Sequence, residues 1–134
     1  MRPFAGGETA EMAFTVTAEM EAAFGGETVH RVLSTWALVH HLEWVSRQLL
    51  QPHLDAGEEG AGAGVNVRHL APAAIGSQVQ VRAVARPSRP GQLVTDVEAT
   101  SAQRVVARGQ VFQAIWPKRD LARRMAGRGE SAPS

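Results

Sequence analysis

The 134-residue chain contains no cysteine and no tyrosine. The first absence excludes disulfides, thiolate metal sites and a cysteine nucleophile. The second removes the phenol as a general acid, so catalysis must rest on Ser, Thr, His, Asp, Glu, Lys, Arg or backbone dipoles. Aromatic residues make up only 5% of the chain, and the formal net charge is +1. No apolar run approaches the roughly 18 residues of a membrane span. The opening segment lacks the hydrophobic stretch of a signal peptide, so a cytoplasmic protein with no membrane partner is expected. The small net charge is unevenly placed: residues 118–134 carry +3 and residues 1–117 carry −2. A nucleic-acid reader shows a basic face on its folded body, so no nucleic-acid partner is expected. Thirteen of the fourteen basic residues are arginine, a usage typical of GC-rich bacterial coding.

What is present suits one domain of ordinary size, which at this length buries about two-thirds of its unfolded surface without covalent staples. Residues 1–9 carry Pro3, Gly6 and Gly7 and read as a lead-in. Met12, Phe14, Val16, Ala18 and Met20 alternate with Ala13, Thr15, Thr17 and Glu19, the period of a half-buried strand. Gly25-Gly26 then breaks the chain ahead of a polar approach over 27–34. Residues 35–51 hold no glycine or proline, and Pro52 closes the run. Leu38, Leu42, Val45 and Leu49 mark one helical face, with Ser34 placed as N-cap. Trp36, Val39, Trp44 and Leu50 fall on other sides, so the helix is expected to be wrapped by other structure.

A glycine-rich loop is expected over 55–64, followed by strands at Val65/Val67/His69, Val79/Val81/Ala83, Leu93/Thr95/Val97 and 105–116. Turn signals at 72–76, 87–91 and 101–103 separate them into an antiparallel meander. The folded domain is placed at 1–117 and a basic C-terminal tail at 118–134, with short helical turns over 118–126 and disorder over 127–134. One long central helix against a curved antiparallel sheet is an α+β arrangement of the hotdog type.

Few residues are left to carry chemistry. His69 shares a strand face with Val65 and Val67, and histidine is the side chain that exchanges protons near neutral pH. Glu43 is the only carboxylate between Glu27 and Asp55. It reads either as a desolvated functional group or as an exposed helix residue paired with Arg47 at i+4. Thr35 opens the helix beside free backbone N–H groups, where a developing oxyanion is stabilised. Ser34 is an equally reachable hydroxyl. His40 and Glu43 stand at i, i+3, but no zincin spacing accompanies them and no metal is expected. The glycines at 60, 62 and 64 lack the strand-before, helix-after context of a nucleotide site.

Thr35, then Glu43-Trp44 eight residues on, then His69 resemble the fluoroacetyl-CoA thioesterase family of single-domain hotdog enzymes. The segment from Leu54 into Val65–His69 and the turn Ala71-Pro-Ala-Ala-Ile-Gly76 running into Val79 add to the likeness, which covers about residues 32–116. The resemblance implies a dimeric thioester hydrolase in which Thr35, Glu43 and His69 act together and Gly62 lies near the acyl group. Coenzyme A or an acyl carrier protein would bear the thioester, with no separate cofactor. That family has phenylalanines in a lid ahead of its threonine. Here the segment is shorter, and Val29 and Leu33 offer no aromatic gate. With Ser34 and Trp36, which flank Thr35, they complete the candidate substrate contacts.

Thr35 and Glu43 lie eight residues apart, about 12 Å along a helix. Either Thr35 precedes the helix and folds back, or two subunits of a homodimer share the site; the second arrangement is preferred. His69 is read as general base. Glu43 either orients and charge-stabilises it or attacks the carbonyl to form an anhydride. The competing functions are a hotdog enoyl-thioester hydratase or dehydratase, and a non-catalytic acyl-thioester or carrier-protein binding module.

Overall fold

Period-two alternation becomes strand wherever one face finds the core. The computed structural model describes residues 1–24 and 27–131, without the side chains of residues 24, 28, 29 and 127–131. The expected break at Gly25-Gly26 lies outside the described residues. Five strands form one antiparallel sheet in the order β1 (Thr9–Thr15), β5 (Gln78–Ala85), β6 (Gln92–Ser101), β7 (Arg104–Pro117) and β4 (Glu58–His69). The inward residues of β5 and β6, Val79, Val81, Ala83, Leu93, Thr95 and Val97, are all buried. Helix α1 (Thr35–Leu50) crosses this face, setting Leu38, Leu42, Val45 and Leu49 into the core. This is the hotdog arrangement, and its α+β class matches the expectation.

Three local expectations are corrected. The first strand ends at Thr15 instead of continuing to Met20. Val16 is held by backbone hydrogen bonds to Ser77 and Gly76, and Ala18–Met20 then makes a single 3-10 turn. The polar approach is a strand, β3 (Glu27–Leu33), paired with β2 (Glu21–Phe24) in a small separate hairpin with two register shifts. The glycine-rich stretch is also strand, since β4 begins at Glu58. Its glycine at position 60 answers to packing: a Cβ there would lie 2.5 Å from Leu50 Cδ2.

Helix α2 (Lys118–Ser131) follows β7 directly and is longer than the turns expected over 118–126. Residues 132–134, part of the expected disordered end, lie outside the described residues. Only one side of α1 is covered. Trp36 is 61% exposed and Trp44 47%, so the wrapping expected around the whole helix is absent on that flank. Beside it runs β4, a twelve-residue strand at the sheet edge, with Val65 also exposed. Among the described residues no helix is long and apolar enough to cross a membrane.

Candidate active site

The start of α1 is built by its cap. Ser34 Oγ accepts a hydrogen bond from the Ala37 amide at 3.2 Å, which commits that buried hydroxyl to the helix. Thr35 is itself the first helical residue, so it does not fold back along the chain. The amides of Thr35 and Trp36 have no intrahelical acceptor, as at any helix start.

Thr35 Oγ1 lies 3.1 Å from His69 Nδ1, at the far end of β4. Either the hydroxyl donates to a bare Nδ1 or the protonated Nδ1 donates to the hydroxyl. His69 Nε2 is buried and has no hydrogen-bond partner among the described residues. A buried ring nitrogen without a partner is costly and marks a place where a ligand, water or another chain is needed.

Glu43 stands about 12 Å farther along α1, from the 1.5 Å helical rise. It is exposed, and it lines a cleft of about 430 Å³ with His40, Trp44, Arg47, Gly62, Val111 and Gln113. The helix pair expected with Arg47 does not form. Arg47 instead donates to Glu59 at 2.9 Å and to the Gly60 carbonyl at 3.2 Å, because the edge strand offers it both acceptors. Gly62 sits beside Glu43, where a Cβ would stand 3.5 Å from Oε2.

The structure therefore places Thr35 beside His69, and Glu43 beside Gly62, as two separate pairs on one chain. Trp36 is exposed next to the first of them. Leu33 is buried in the core, and the buried Ser34 hydroxyl is engaged by the cap. Val29 lies on β3, and its side chain is outside the described residues. Sequence reasoning missed Gln113, whose signal was a polar residue at an inward position between Val111 and Ile115 on β7. Its amide donates to the Ser46 carbonyl at 3.1 Å, next to the Ser46–Thr95 hydroxyl pair at 2.8 Å.

The buried His41 stacks on Phe14 at 3.7 Å and donates from Nδ1 to the Ala37 carbonyl. Burial holds its imidazole below the ordinary range, so it is neutral in the fold. Among the described residues no three acidic or histidine side chains gather as metal ligands.

A profile of the fluoroacetyl-CoA-specific thioesterase family matches residues 16–119. The chain belongs to this family. It is accordingly a thioester hydrolase on the hotdog fold. A Thermus thermophilus hypothetical protein of the thioesterase superfamily is 35% identical, with 98% of this chain and 99% of that one aligned at a TM-score of 0.89. A fluoroacetyl-CoA thioesterase structure aligns over 92% of this chain and 96% of its own at 21% identity and a TM-score of 0.85. A hot-dog-like protein from Thermanaerovibrio acidaminovorans aligns over 93% of both chains, also at 21% identity, with a TM-score of 0.87. No curated protein sequence matches.

Proposed function

We propose that this thioesterase hydrolyses acyl-CoA at a composite site, with Thr35 and His69 from one subunit facing Glu43 and Gly62 from a second copy. The observation that carries the reading is the pair Thr35–His69 with its buried, unpartnered Nε2. The same chain holds its candidate carboxylate too far along α1 to serve that nitrogen. Two-fold pairing of the β4 edge supplies a route. An antiparallel pairing centred between Val65 and Asn66 sets Gly62 of one chain opposite His69 of the other, and so brings the partner subunit's Glu43 to the half-site. The long open edge and the exposed Trp36, Trp44 and Val65 beside it favour such a cover.

In this site the helix start polarises the thioester carbonyl through the Thr35 and Trp36 amides. His69 Nε2 takes a proton from the attacking water while the new C–O bond forms. The partner subunit's Glu43 stabilises the resulting imidazolium. Collapse of the tetrahedral adduct breaks the C–S bond, and His69 returns the proton to the sulfur, giving a carboxylic acid and a free thiol. Related fluoroacetyl-CoA thioesterases have been solved with coenzyme A and with acetyl-CoA, which supports coenzyme A as the carrier for this chain too.

Thiol release from a panel of acyl-CoA substrates tests the reading. His69→Ala and Glu43→Gln are each expected to lower kcat by about 10²–10⁴-fold while the dimer stays folded. Full activity in either variant would overturn it.

A further inference from the structure

The chain's surplus of positive charge sits on α2, which the hydrolytic site does not use. Lys118, Arg119, Arg123 and Arg124 are exposed on its first two turns, where Asp120 is the one acid. The helix is anchored at the beginning of the strand that carries Gly62. The Lys118 amide donates to the Gly57 carbonyl at 2.7 Å, and Glu58 pairs with Pro117 across the β4–β7 ladder. A cleft of about 470 Å³ opens at this corner, lined by Ala56, Gly57, Glu58, Pro117, Lys118 and Arg119.

The two acids of β4 nearest this cleft already have partners. Glu58 is paired with the Met1 ammonium, and Glu59 with Arg47 at 2.9 Å. The α2 cations are therefore not cancelled from below. The Arg124 guanidinium carbon stands over the Trp116 ring, 4.2 Å from its centroid, a cation–π contact between the helix and β7. Among the described residues Lys118 has no ion-pair partner, and Arg119 and Arg123 share Asp120, at 4.0 and 3.5 Å.

We infer that the first turns of α2 hold the phosphates of coenzyme A, an inference that rests on the acyl-CoA reading of the site. Distance and charge both favour it. Gly62 lies four residue steps along β4 from Glu58, about 13 Å at the strand rise. An extended pantetheine arm has a reach comparable to about four or five residues of extended chain. An acyl group at Gly62 thus leaves the anionic nucleotide end at Lys118 and Arg119. Arginine forks and a lysine point charge are the usual donors to phosphate oxygens.

The test compares ligands that share the arm and differ in the phosphates. Calorimetric affinities for coenzyme A and for pantetheine are measured on the wild type and on a Lys118→Glu/Arg119→Glu variant, whose exposed positions keep the core intact. The wild type is expected to bind coenzyme A about tenfold more tightly than pantetheine, with the variant losing that advantage and its salt dependence. KM for acetyl-CoA is expected to rise about tenfold at nearly constant kcat, with KM for S-acetyl-pantetheine unmoved. Equal affinities in the wild type would overturn the inference, and so would equal shifts for both ligands in the variant. A variant that keeps its grip on coenzyme A but loses a carrier-protein thioester would reassign the surface to protein docking. Failure of the wild type to hydrolyse either thioester would strike the acyl-CoA reading instead, since the binding comparison decides the phosphate site without turnover.

Discussion

Two inactive chains should restore each other if the site is shared between subunits. His69→Ala removes the imidazole of one half-site and Glu43→Gln removes the carboxylate of the other. Each homodimer then carries the same lesion in both of its sites. A heterodimer combines both lesions in one site and leaves the second intact. Thr35 Oγ1 stands 3.1 Å from His69 Nδ1, so this pair travels together, while Glu43 lies eight residues on along the same helix. That separation, about 12 Å, is what prevents a rigid helix from placing all three groups around one carbonyl. Random exchange of subunits gives about half heterodimers, hence about a quarter of wild-type turnover; a heterodimer purified through two tags gives about half. Each homodimer should retain no more than about 1% if a positioned acid–base group is worth at least 10²-fold. The assay is thiol release on co-expressed, doubly tagged chains, with sedimentation confirming a dimer. Purified heterodimer no more active than its parents, with all three species folded, would refute the shared site.

Two further outcomes test the packing and electrostatics around the cleft. Gly60→Ala drives a methyl into Leu50, a fully buried side chain, and is expected to cost about 1–3 kcal/mol, a loss of several degrees in Tm. Gly62→Ala meets Glu43 Oε2 at the ordinary contact distance of 3.5 Å and should leave Tm nearly unchanged; equal losses would show that strand propensity, not Leu50, governs position 60. His41 has its imidazole lowered by burial, so the unfolded chain takes up a proton that the folded chain rejects. Its stability is complete above the ordinary histidine value of about 6.5 and falls as pH drops through the lowered folded value. His41→Phe, which keeps the stack on Phe14, should flatten thermal stability between about pH 7 and 5. A thermal melt with undiminished acid sensitivity would count against it.

The parts of the fold that could be read from the sequence are those set by local pattern. Leu38, Leu42, Val45 and Leu49 define a helical face wherever the helix is put, and the turns around Pro72, Pro87 and Ala102 separate strands whose inward residues are mostly apolar. What escaped depends on contacts between distant segments. Glycine is unfavourable in a strand on intrinsic grounds, so 58–64 reads as loop. Yet Gly60 is there because Leu50 of α1 occupies the space a side chain would need. Arg47 has a helix partner available in Glu43 and leaves it for Glu59, which only the folded strand presents. Gln113 looks like an interruption in an apolar alternation until Ser46 supplies its acceptor.

The candidate site divides along the same line. Residue type and the family resemblance pointed to Thr35, Glu43 and His69, but their grouping into two pairs is tertiary. It arises because α1 runs alongside β4 in the opposite sense, placing Thr35 at the strand's end and Glu43 near its glycines. The apolar residues expected on the other sides of α1 belong to this problem too. Trp36 and Trp44 remain open in a single chain, on the flank where the β4 edge is also unpaired. Among the described residues a helix with apolar residues on a second side, an uncapped edge strand and a buried His69 Nε2 lacking a partner each leave something unfilled. One two-fold contact along β4 would fill all three, and the complementation experiment is therefore a test of the fold's completion as well as of its chemistry.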